Sequence, residues 1–113
     1  MSIRNRIRKL LKIASVDDFH SIQNKTMFTP IQQDILWLRF KGYDPLDFPN
    51  NKELSNFYRK GERLSVNEVS IALNVSVETI KKETSLIFDK IERAKAIPEL
   101  FSEAGKIDGI ADE

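Results

Sequence analysis

The chain has no cysteine, one histidine, one tryptophan and only four glycines and four prolines in 113 residues. Without cysteine it forms no disulfide and offers no thiolate to a metal, in agreement with a reducing cytoplasm. His20, with Asp17 and Asp18 close by, provides too few ligands for an ordinary transition-metal site. No glycine-rich phosphate loop and no nucleophile elbow can be traced, so neither a cofactor nor an enzymatic reaction is expected. Uninterrupted apolar runs extend over a few residues only. That leaves no candidate for a membrane span or a signal peptide.

What is present favours helices. Apolar residues make up 41% and charged residues 31%, a balance typical of a soluble globular domain. The length predicts one domain over residues 1–96 with a modest core. Net charge is only +1, but residues 1–12 carry five basic side chains and no acid. Residues 97–113 have a net charge of −4 and read as an acidic C-terminal tail, which leaves about +5 for the first 96.

Three stretches carry both the helical period and its start signal. Over residues 1–14, Ile3, Ile7, Leu10, Leu11 and Ala14 form one stripe, with the basic residues opposite. Such a helix docks on a core with its charges in solvent, or serves as an arm that contacts phosphate or a polymerase. Ser15 or Asp17 then caps a short helix ending near Asn24. Thr29-Pro30-Ile31-Gln32 opens another, with Thr29 as cap, Pro30 in the first turn and Gln32 completing a capping box. Ile31, Ile35, Leu36 and Leu38 form its buried face, Trp37 and Phe40 read as core or interface, and Gly42 ends it. Residues 43–51 read as loop, and 53–60 as a short inserted helix closed by Gly61.

The chain is organised around residues 64–91, LSVNEVSIALNVSVETIKKETSLIFDKI. Ser65 and Glu68 form a capping box ahead of Val66, Val69 and Leu73. Asn74 stands where that helix must turn, and Asn tolerates the left-handed conformation. Ser76 caps a second helix whose inner face is Ile80, Thr84, Ile87, Phe88 and Ile91, running to about Ala96 before Pro98. Small Ser70, turn residue Asn74 and β-branched Ile80 have helix-turn-helix spacing.

LSVNEVSIALNVSVETIKK resembles the helix-turn-helix of region 4 of sigma-70 family factors, and FTPIQQDILWLRF, residues 28–40, resembles the helix that opens that region. Both lie within a unit at 28–96. Asn74 replaces the family's usual Gly, Val77 stands where the family often has a basic base-reading residue, and the connection between the two blocks is longer than the family's loop. The last departure fits a divergent phage or mobile-element relative. The resemblance implies an all-α fold and a DNA-binding transcription regulator with double-stranded DNA, and RNA polymerase besides, as partners. At this length the other sigma regions are missing, so such a protein would act as an activator, a split-sigma subunit or an adaptor. No membrane partner is expected, and the oligomeric state is left open.

In such a unit the first turns of the second helix enter the major groove. Val77, Glu78, Lys81, Lys82 and Ser85 are then the outward residues. Lysine can donate to guanine, Glu78 can accept from cytosine, and Val77 can meet a thymine methyl. Ser76 suits a phosphate, and Arg59, Lys60 and Arg63 stand ready to clamp the backbone. Glu83, an acid within that helix, favours the alternative, a protein-interaction module that has kept the shape without reading DNA.

Overall fold

The computed structural model describes residues 3–44 and 58–98. Among them the fold is all-helical, with five helices and no strand, as the sequence predicts. The inserted segment up to Phe57 and the acidic tail beyond Pro98 lie outside the described residues.

Helix α1 spans Ile3–Ile13, α2 Val16–Lys25, α3 Pro30–Leu36, α4 Val66–Leu73 and α5 Val77–Ala94. Their starts follow from local chemistry. Ser15 Oγ accepts the Asp18 amide at 3.1 Å while the Asp18 carboxylate accepts the Ser15 amide at 3.2 Å. Thr29 and Gln32 make the same reciprocal pair, as do Ser65 and Glu68. Each box satisfies two amides that the first turn leaves without a helical acceptor.

Asn74 adopts the left-handed conformation (φ 55°, ψ 48°), and Val75 donates back to the Ser70 carbonyl at 3.1 Å. Lys95, also left-handed at φ 48°, ends α5 two residues before the expected point, with Ala96 donating to Ile91. Both are glycine-type helix ends built on another residue. Helix α3 ends differently, in a π-helical turn over Trp37–Lys41 closed by the Gly42 amide on the Trp37 carbonyl at 2.7 Å. This wider turn was not expected from the sequence. It lets Trp37, Leu38 and Phe40 all stay buried.

The chain divides into two compact units, residues 1–27 with 88–113, and residues 28–87. In the first, Ile7 and Leu11 of α1, Phe19 and Ile22 of α2, and Phe88 and Ile91 of α5 are buried. Ile3, at the start of the predicted α1 stripe, is exposed, Ala14 at its end is half-buried, and Ile13, outside the stripe, is exposed. Arg4 pairs with Asp89 at 2.6 Å, and Lys90 donates to the Met27 carbonyl at 2.7 Å. In the second unit the buried set includes Ile35, Leu36, Leu38, Phe40, Tyr43, Leu64, Val69, Ile80 and Ile87. Tyr43 donates to the Glu62 carbonyl and accepts from Gly61, and Leu64 donates to Leu38. Those backbone pairings hold Tyr58–Lys60 out of helix, so the predicted short helix does not reach Lys60.

Asp34, half-buried on α3, makes a prediction of its own. Burial raises its carboxyl above the ordinary carboxylate value, so the folded state holds the proton more tightly than the unfolded chain. Its effect on stability is then most favourable below the unfolded value and is lost as pH rises through the raised one. Asp34→Asn should therefore raise the melting temperature near pH 7 and change it less near pH 3. An equal shift at both pH values in paired thermal melts would remove Asp34 as the cause.

Candidate nucleic-acid interface

Helix α5 begins after the three-residue connection Asn74-Val75-Ser76. Ser76 Oγ accepts the Thr79 amide at 3.1 Å and shares a hydrogen bond with Thr79 Oγ1 at 2.8 Å, so its hydroxyl is already committed to the cap. Ser70 Oγ donates to the Val75 carbonyl at 2.5 Å and fixes the turn from the α4 side. Val75, between the two cap residues, is half-buried.

Ile80, Thr84 and Ile87 are buried, and that sets the orientation of the helix. Glu78, Lys81, Lys82 and Ser85 stand at i, i+3, i+4 and i+7 and so share another face. Glu78, Lys81 and Lys82 are exposed, whereas Val77 and Ser85 are half-buried. Among the described residues neither Lys81 nor Lys82 has a hydrogen bond or ion pair.

Glu83 is absent from that face. Its carboxylate accepts Gln32 Nε2 at 3.1 Å, and Gln32 is only 2% exposed. The acid is therefore turned toward α3 rather than lying on the outer face, and the neutral Gln32 amide leaves its charge uncompensated. One residue along, Arg39 Nη1 donates to Thr84 Oγ1 at 3.2 Å, and Thr84 donates to the Ile80 carbonyl at 2.7 Å. Gln32 and Arg39 thus hold α5 in rotation about its own axis. The sequence marks Gln32 as a cap residue but gives no sign of this second role.

The three basic residues ahead of α4 are exposed, each with an internal commitment nearby. Arg63 Nε donates to the Phe40 carbonyl at 2.9 Å, in the π turn. Lys60 lies 3.9 Å from Asp44, and the Arg59 amide donates to the Glu62 carboxylate at 3.0 Å. The Tyr58 phenol is raised above its ordinary value by burial first, then by the charges of Glu68 and Glu62. Arg59, Lys60 and Arg63 therefore stand in mixed rather than purely basic surroundings.

No three metal-binding side chains gather among the described residues, and no described helix is long and apolar enough to cross a membrane. No protein-family model matches the chain, and neither a curated protein nor a solved structure shows significant similarity to it.

Proposed function

We propose that the protein is a DNA-binding transcription regulator that reads duplex DNA with the outer face of α5, in the manner of a sigma region 4-like helix-turn-helix. The observation that carries this reading is the pair Lys81 and Lys82. Both are exposed and unpaired among the described residues, and both lie in the first two turns of a capped helix that follows a three-residue turn. That part of a recognition helix reaches base edges. Glu78 and Val77 stand beside them as further base contacts, and Arg59, Lys60 and Arg63 as backbone contacts. RNA polymerase would be a second partner, and the cytoplasm the place of action.

A second reading is a protein-interaction module. Ile71 of α4 is 77% exposed, and the described part of residues 28–87 has seven basic side chains against six acidic ones. A near-neutral surface with an exposed Ile suits a protein partner better than a phosphate backbone.

Changing Lys81 and Lys82 together to Ala separates the readings, because neither is part of the core. Folding should survive. If the lysines meet bases, affinity for a selected duplex should fall by about 1–3 kcal/mol per contact and the preference over random duplex should narrow. If they meet only phosphate, affinity should fall evenly and the salt dependence should flatten by about 0.9 per contact. Salt titrations on selected and random duplexes decide between the two. A parent protein with no salt-sensitive affinity for DNA leaves the interaction module standing.

A further inference from the structure

The net basic charge of the described chain lies mainly outside residues 28–87. In residues 3–27 and 88–98, nine basic side chains stand against four acidic ones. Five of the nine are on α1, which contains no acid. Resting on the DNA-binding reading above, we propose that the α1 face carrying Arg8 and Lys9 is a second nucleic-acid surface, one that holds the phosphate backbone of duplex DNA without regard to sequence.

Arg4, Arg8 and Lys12 follow at intervals of four residues and so form a row along one side of the helix. The row is about 12 Å long, or between three and four base-pair steps. Arg4 is matched by Asp89, but Arg8 meets no carboxylate among the described residues. Its guanidinium lies 5.4 Å over the Phe88 ring, Nη1 is 3.4 Å from Asn5 Oδ1, and Nε is buried without a hydrogen-bond partner among the described residues. The ring thus holds this cation in one orientation, which lowers the ordering cost of meeting an oxyanion. Lys9 is exposed and has no ion pair among the described residues.

An anionic membrane is the other polyanion to consider. An interfacial helix must bury its apolar face in lipid. Here Ile7 and Leu11, the centre of that face, are already buried in the protein. The charged side alone is on offer, and that favours a nucleic-acid backbone.

The test is a salt titration of the full chain against selected and random duplexes, with anionic phospholipid vesicles alongside. Lys9→Gln should flatten the dependence of log affinity on log salt by about 0.9, and Lys9→Gln with Arg8→Gln by about 1.8. Both variants should leave the ratio of selected to random affinity unchanged, unlike the Lys81 and Lys82 change. Lys9 has no packing role, so the single variant decides if Arg8→Gln disturbs the fold. Unchanged slopes with a DNA-binding parent overturn this surface and leave the α5 reading intact. A parent that binds no duplex removes both. Vesicle binding that is lost with Lys9→Gln, while duplex binding is unaffected, overturns it in favour of a membrane surface.

Discussion

Ile80→Asp is expected to abolish the folded state or lower its melting temperature severely. Ile80 is fully buried at the start of α5. A carboxylate there would lose its water and gain no partner, at a cost of several kcal/mol. The whole stability of a small domain is about 5–15 kcal/mol, so one such change takes a large share of it. Ile71→Asp is the matched control, because Ile71 is exposed on the neighbouring helix. Such a surface change is usually worth within about 0.5 kcal/mol. Circular-dichroism melts of both variants test the register of the two helices. If the Ile80 variant melts with the parent, Ile80 does not face the core and the rotation assigned to α5 is wrong.

Gly42→Ala should be the second most damaging change, for a reason unrelated to hydrophobic burial. Gly42 has φ +113° and ψ 156°, a region almost closed to residues with a side chain. A Cβ there would also lie 2.6 Å from the Gly61 carbonyl oxygen and 2.8 Å from its carbon, both backbone atoms with little freedom to yield. The strain alone is of order 1–3 kcal/mol, and the clash adds to it. Gly61→Ala isolates the strain, since Gly61 has φ +88° but open space around its missing side chain. Chemical denaturation should therefore rank the Gly61 variant between the parent and the Gly42 variant. The reverse order would mean that the approach of Gly42 to Gly61 is not tight in solution.

The features legible in the sequence were those decided within one helical turn. Ser15, Thr29, Ser65 and Ser76 each cap as their spacing implies, and Asn74 takes the left-handed turn. The inner face of Ile80, Ile87, Phe88 and Ile91 followed from period alone. What escaped depends on partners far along the chain. Glu83 sits in a helix whose charges read as outward, yet its partner Gln32 is 51 residues away. The bond from Arg63 Nε to a carbonyl 23 residues back likewise has no local sign. The π turn leaves no mark in an apolar run that is buried on nearly every side, where period loses its meaning. The end of α5 escaped for a local reason instead: Pro98 reads as the stop, but the helix ends earlier on Lys95, through bonds to its own last turn.

Residues 28–87 form one continuous stretch, whereas the other unit takes its helices from both ends of the chain. On the ribosome this imposes an order of assembly. Helix α1 is made first, but Phe88 and Asp89, which receive Arg4 and Arg8, follow some eighty residues later. At about 5–20 residues per second, that delay lasts on the order of 4–16 s. The continuous unit can mature as it is translated, while Arg4 and Arg8 wait without Asp89 and Phe88. A nascent chain stalled before residue 88 would thus present an unmatched basic, amphipathic N-terminus to chaperones and to the surrounding RNA.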